Sequence, residues 1–374
     1  EPKRLGKDGK PVPGTGIEQV TLGFTTPGKT LLTNSLNQTT TYTHAIVGNE
    51  YRLLRVAGAG CASCGEANIQ YGYDTLGRLT EITKLSPTGQ PLATTRTERD
   101  TQGRPLRISR LVYHNGQAQP ARLQVRYEYE GQSTQPSLIA RPSVIPGKEA
   151  VTRITYNAYG QPTWVTESGF SPLDDNGQAS ATPISRTTTY AYRSINGRSL
   201  LAQIDGPLPN GKTNSPADSD ITRLEWDVRG DYPVSITKPG NLASRVETRD
   251  EAGRPTAVRE ASGVLTQLQL TPTGQTTRIE RAGRVVSISY DARMQPIRLA
   301  GNDGQTIRIA YLPEAGKLRY TLPDGQTREE TYNSERQITS TGWLDGQGRR
   351  LSEPGRIEYH PQTGQLAGVT LPSG

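Results

Sequence analysis

The sequence predicts an all-β protein, a repetitive strip of β-hairpins, and three observations carry that prediction. Tyr, Ile, Val, Leu and Thr recur in alternating clusters between turn signals, as half-buried strands require. No window shows a 3.6-residue apolar period, and Gly (40) and Pro (27) occur too often for long helices. Finally, an Asp or Asn followed three residues later by Gly comes back again and again, and such self-similarity marks a repeat architecture.

The first clear copy is Tyr71-Gly72-Tyr73-Asp74-Thr75-Leu76-Gly77-Arg78-Leu79. Asp at the first position of a type I turn accepts a hydrogen bond from the backbone two residues on, and Gly three residues later takes the left-handed conformation. A type I turn followed by a left-handed Gly makes a bulged hairpin whose twist suits its two strands. Tyr71 and Tyr73, two apart, face one side of the incoming strand, and cross-strand aromatic pairing between neighbouring repeats is the role expected of them.

Further copies are Asp100 with Gly103 and Arg104, Asn157 with Gly160 and Gln161, Asp227 with Gly230, and Asp250 with Gly253 and Arg254. Weaker ones are Asn34 with Asn37 and Gln38, Ser194 with Gly197 and Arg198, Thr271 with Gly274, and Pro313 with Gly316. Asn37 suits the left-handed position, which Asn tolerates best after Gly. Asp291 is followed by Met294 and Asn333 by Arg336, so those two turns are expected to be of another type.

Three segments follow. Residues 1–33 form an N-terminal flank or partial repeat, 34–226 hold irregular repeats with inserts, and 227–374 hold regular repeats of 20 to 23 residues, anchored at 227, 250, 271, 291, 313 and 333. That period accommodates two short strands and two turns, and each unit stays incomplete until its neighbours add to it. The inserts Phe170 to Pro183 and Pro207 to Asp220 read as loops on a continuing sheet.

Composition narrows the function. Only 32% of residues are hydrophobic, with two Phe and one Met against 17 Tyr, so material for a two-layer core is thin. The patterned alternation separates the chain from a disordered tract. Its net charge of +7 is spread over 43 basic and 36 acidic residues with no basic stripe, which argues against nucleic acid. No apolar run reaches eighteen residues and no secretory signal pattern opens the chain. A start at Glu1 without Met and an end at Gly374 suggest an excised fragment.

Chemistry-bearing residues are few. Cys61 and Cys64 form the one CxxC, which could be half a zinc site, a redox pair, a plain turn or a local disulfide; half a ligand set favours the turn or the disulfide. His44, His114 and His360 stand far apart, no G-x-S-x-G elbow exists, and neither catalysis nor a cofactor is expected. Asp and Gly at turns could suggest calcium, but an Arg beside the Asp fits the turn-forming role better. Exposed Tyr could also stack on carbohydrate.

The pattern Tyr-x-Tyr-Asp-x-x-Gly-Arg-Leu at Tyr71 to Leu79 resembles the YD repeat of the RHS family, and partial copies run from about Asn34 to Gln365. The segment Gly60 to Gly65 resembles one common in proteobacterial RHS proteins. The resemblance implies a strip of long hairpins winding into a spiral shell or an open, barrel-like sheet. In bacterial members such a shell encloses a variable C-terminal toxin for interbacterial competition; the C component of insecticidal toxin complexes and the teneurins carry related shells. It also implies as partners the remaining repeats and the toxin of the same polypeptide, with type VI secretion machinery or carbohydrate besides, and a secreted, cell-surface or target-cell-delivered location. The terminal signature of the self-cleaving region, Tyr-Tyr-Asp-Pro-x-x-Gly-Arg-Phe, is missing. The expected function is a non-catalytic wall; the rival is an extracellular adhesion or carbohydrate-binding module.

Overall fold

Short strands joined by tight turns pair most easily with their neighbours in sequence, and the computed structural model is built that way. It describes residues 16, 18–173, 176–177, 179–208, 220–361 and 364–372. From Thr21–Thr26 against Lys29–Thr33 to Gly355–Tyr359 against Leu366–Thr370, each strand runs antiparallel to the next, giving one open sheet of 29 strands. The one detour is Gln117–Ala118, which folds back on Tyr113 and His114 before Arg122–Tyr129 resumes pairing with Pro105–His114. Among the described residues no helix is long and apolar enough to cross a membrane.

In a meander, successive turns alternate between the two rims of the strip. A unit of two strands and two turns therefore returns its anchor to the same rim each time. The turns starting at Asp74, Asp100, Asn157, Asp227, Asp250, Thr271, Asp291, Pro313 and Asn333 all lie on one edge, hereafter the Asp rim. Asn34–Gln38, which the sequence groups with them, lies on the opposite, far rim.

The core is a stripe rather than a centre. Leu32, Val56, Ile69, Leu85, Leu111, Val125, Leu138 and Ala140 are buried along the first third of the strip, joined later by Ala257 and Leu344. A single sheet has no second layer to bury its faces against, so half-buried side chains dominate.

Three expectations need correction. The Phe170 to Pro183 insert is not a loop: it lengthens a hairpin, pairing Phe170 with Pro183 and Ser171 with Thr182 between Pro162–Leu173 and Ala179–Ile195. Pro183 is tolerated because the next strand pairs only from Thr189 onward, so nothing there needs its N–H. The Ser194 turn is a two-residue Asn196-Gly197 hairpin with Ile195 opposite Arg198 and both central φ positive (48° and 76°), as Asn-Gly favours. The Asp291 and Asn333 turns are of the common type after all, with Met294 (φ 62°) and Arg336 (φ 56°) left-handed. Residues 1–15 and 17 of the flank, and 209–219 of the Pro207 to Asp220 insert, lie outside the described residues.

The strip coils until its ends overlap. Rim-to-rim contacts join Ser35 to Ser334 and Glu335, about 300 residues on, and Gln38 to Pro361. The far rim of the first hairpins thus meets the Asp rim of the last ones in a seam. Roughly two dozen strands per revolution at ~4.8 Å give a perimeter of about 110 Å.

Candidate functional site

The recurring turn is the element from which the strip is built. Asp74 Oδ1 accepts the amides of Leu76 (3.0 Å) and Arg78 (2.9 Å), while Oδ2 accepts Arg78 Nε (2.7 Å). Asp100 with Arg104 and Asp250 with Arg254 repeat this, each with a 2.7 Å guanidinium contact. Gly77, Gly103, Gly160, Gly230 and Gly253 all sit at positive φ and close their turns by donating to the anchor carbonyl.

Hydrogen bonds from the Arg78 amide and then its guanidinium hold the Asp74 carboxyl below the usual carboxylate range. At Asp100 partial burial pushes the other way, and Arg104 outweighs it. Where the anchor is Asn, the residue four later is Gln: Asn157 Nδ2 donates to Gln161 Oε1 (3.0 Å), as Asn34 does to Gln38 and Asn333 to Gln337. Asp with Arg and Asn with Gln are thus matched in charge, and Asp291 with Gln295 departs from that pairing. Asp227 differs by one inserted residue, its Oδ1 accepting the amides of Asp231 and Tyr232.

The fourth residue also reaches forward. Arg104 donates to the carbonyls of Gly131 (2.9 Å) and Ser133 (2.7 Å) in the next Asp-rim turn, and Gln161 to Ser199 (2.9 Å). Arg254 reaches Thr271 and Gln337 reaches Gly364 in the same way. The rim is a ladder of turns.

The residue before the anchor reaches backward. Tyr73 donates its hydroxyl to the Leu53 carbonyl (2.7 Å), Tyr129 to Pro105 (2.9 Å), Tyr156 to Pro136 (2.9 Å), Tyr290 to Thr276 (2.7 Å) and Tyr359 to Ile338 (3.0 Å). In four of these five the acceptor opens the outgoing strand of the preceding hairpin, where the bulge lets Pro replace a donor. Trp226, Arg99 and Arg249 serve the same purpose where Tyr is absent. Partial burial raises the phenol pKa of Tyr73, Tyr129 and Tyr156 above the ordinary value. Ring pairing, the role expected of these tyrosines, is not what they do: among the described residues the ring pair is His44 with Tyr51. Tyr71, on the strand opposite Ile82, stays half-buried.

Cys61 and Cys64 are bonded to each other in the far-rim loop between Glu50–Gly58 and Ile69–Tyr73. Among the described residues no cluster of three or more His, Cys, Asp or Glu is placed to hold a metal. The loop lies in the seam. Glu335, 5% exposed, accepts the Ser35 amide (2.8 Å), the Ser35 hydroxyl and the Ala62 amide (2.7 Å), while Arg336 pairs with Glu18 (3.0 Å).

Several parts escape the sequence reading. Asp345-Gly346-Gln347-Gly348-Arg349 is a full copy on the far rim, with Arg349 Nε 2.8 Å from Asp345 Oδ2, and its spacing from Gly to Arg could have revealed it. Ser86, Glu260 and Leu322 anchor bulged turns of the same shape without Asp or Asn, so only the Gly three residues on signals them. Arg281 and Thr266 hold the Glu260 carboxyl down to about 2. Glu335 carries no local signal, because its partners are about 300 residues away.

No family model matches the chain, and no curated protein matches it. Its fold is similar to that of solved structures. One is the TcdB2-TccC3 complex without its hypervariable C-terminal region, at 15% identity over 98% of this chain and TM-score 0.51. Another is the Photorhabdus luminescens Tc holotoxin pore, at 13% identity over 98% of this chain and TM-score 0.51. The chain spans 22% of the length of each matched chain, so the likeness is one of fold, a coiled single-layer β-strip.

Proposed function

We propose that the chain is a non-catalytic section of the wall of an RHS-repeat shell, one that encloses and shields a C-terminal toxin or effector of the same polypeptide used against competing bacteria. The observation that carries this reading is the seam. A strip that meets its own opposite rim after one revolution, through buried Glu335 and the Ser35 and Ala62 amides, surrounds a volume rather than presenting a flat surface.

The dimensions favour an unfolded passenger. A circular section of that perimeter is about 35 Å across, and side chains on the inner face reduce it to about 25 Å. A folded 100-residue domain, with a radius of gyration of about 13 Å, is wider than that. The hydroxyls of Tyr73, Tyr129, Tyr156, Tyr290 and Tyr359 and the carboxylates of Asp74, Asp100 and Asp250 are engaged within the wall and are not offered to a passenger. The remaining repeats of the parent would be the first partners; secretion or delivery into a target cell would follow from the parent's other parts.

The test is limited proteolysis of the parent polypeptide with and without residues 34–374. Protection of the passenger only when the segment is present supports the reading; a passenger equally soluble and masked without it overturns it. The exposed rings of Tyr159 and Trp164, 75% and 57% accessible, favour carbohydrate stacking as a second reading. Glycan-array binding lost in Trp164→Ala would support that one, and a folded chain that binds no glycan would remove it.

A further inference from the structure

We propose that the Cys61–Cys64 disulfide is a redox latch on the spiral seam, opened by a thiol reductant. The inference rests on the geometry of the seam and not on what the wall contains.

The loop between Gly58 and Ile69 is fastened mainly at its two ends, and on the Ile69 side Asn68 bonds Gly58 through both its side-chain polar atoms and accepts the Leu85 amide, while Glu66 pairs with Lys84. Gly60 donates to Thr40 Oγ1 (2.6 Å) and Asn34 Nδ2 donates to the Gly60 carbonyl (3.1 Å), which fixes the loop to its own revolution. Beyond Cys61 the chain turns over exposed Ala62 and Ser63 into Gly65, which has open space around it. Within that turn the described fastenings are the disulfide, one backbone bond from Cys64 N to Cys61 O (3.0 Å) and a long contact between Cys61 Sγ and Ser63 Oγ (3.7 Å). Yet its Ala62 amide donates across the seam to Glu335 Oε2 (2.7 Å). The disulfide therefore presents a donor to a buried carboxylate of the next revolution.

Reduction releases that donor. Two thiols of the reductant become a disulfide, and the two electrons and two protons pass to the Sγ atoms of Cys61 and Cys64, leaving two thiols. A four-residue turn freed of its covalent link samples many conformations. Glu335 then keeps Ser35 and loses Ala62, leaving a buried carboxylate short of a partner, which is costly. Contacts from Gln38 to Pro361 and from Glu18 to Ser334 remain, so the seam loosens rather than falling apart. Both cysteines are half-buried, within reach of a small thiol. An oxidising surrounding would hold the wall shut and a reducing one would ease it.

The test is amide hydrogen exchange on the full chain, oxidised and after dithiothreitol, with thiols counted by alkylation. Two alkylated cysteines and exchange about tenfold faster at Ser35 and Ala62, with the Asp250–Arg254 turn unchanged, are the expected result. The double variant Cys61→Ser, Cys64→Ser should show the fast rate with or without dithiothreitol. Unchanged seam exchange in the reduced protein overturns the proposal, as does a disulfide that resists excess dithiothreitol. Uniform acceleration over the whole sheet overturns it too, since the bond would then be a general staple. Failure of passenger protection in the parent would leave all these readouts standing.

Discussion

The two rims of the strip are made from the same kinds of turn but obey different rules. Among the described strands no connection on the Asp rim exceeds six residues, the longest lying between Tyr129 and Pro136, Trp226 and Pro233, and Tyr359 and Leu366. The far rim carries ten residues between Gly58 and Ile69 and ten between Leu344 and Gly355. The cause is the ladder. Several Asp-rim turns receive a side chain from the turn before, as Ser133 receives Arg104, Gly160 receives Gln135 and Thr271 receives Arg254, and a longer loop would carry the acceptor out of reach. One rim sets the pitch of the repeat, and the other absorbs variation.

The sharpest way to break this contrast is to lengthen one turn on each rim. Four Gly and Ser residues inserted after Thr101, on the Asp rim, should cost about 2–3 kcal/mol through the lost turn and ladder bonds, against under ~1 kcal/mol after Thr88, on the far rim. Equal losses in urea denaturation would end the distinction.

Next in size is Gly77→Ala. The left-handed position alone costs about 1–2 kcal/mol, and the new Cβ would stand 2.7 Å from the Val47 carbonyl oxygen in the adjoining turn, so about 2 kcal/mol or more is expected. Gly116→Ala, at a similar φ on the far rim with nothing within 4 Å, should cost about 1 kcal/mol. Matching shifts in thermal melting would deny that the Asp rim is the tighter one.

Removing the hydroxyl in Tyr156→Phe leaves the Pro136 carbonyl without its clasp and should cost about 1 kcal/mol, with exchange rising first in the Pro136–Pro142 strand. Smallest is a gain. Met294→Gly relieves a left-handed residue and should stabilise by about 0.5–1 kcal/mol. Arg336→Gly relieves the same strain but forfeits the Glu18 pair, so its gain should be smaller in the same melt.

The strands, the bulged turns and the period could be read from the sequence because each depends on residues within a few positions. Asp74, Gly77 and Arg78 act on one another, and their chemistry states the turn. Met294 and Arg336 hide their turns because neither side chain favours the left-handed conformation. Asp291 Oδ1 accepts the Arg293 and Gln295 amides (both 2.9 Å) and Asn333 Oδ1 those of Glu335 and Gln337, which offsets the strain. The Phe170 hairpin was hidden by its Gly and Pro content. The seam lies beyond any local pattern, because Ser35 and Glu335 become neighbours only once the strip has completed its turn.

The direction of the Tyr clasps bears on how such a chain is made. Every one points to a carbonyl of lower residue number, so when a hairpin leaves the ribosome its acceptor is already in place. Apart from the seam, the ordering contacts are between adjacent hairpins, which keeps contact order low and lets assembly zip from the N-terminus without searching. Synthesis and folding can then advance at the same pace, and ring closure is left as the last, slowest event.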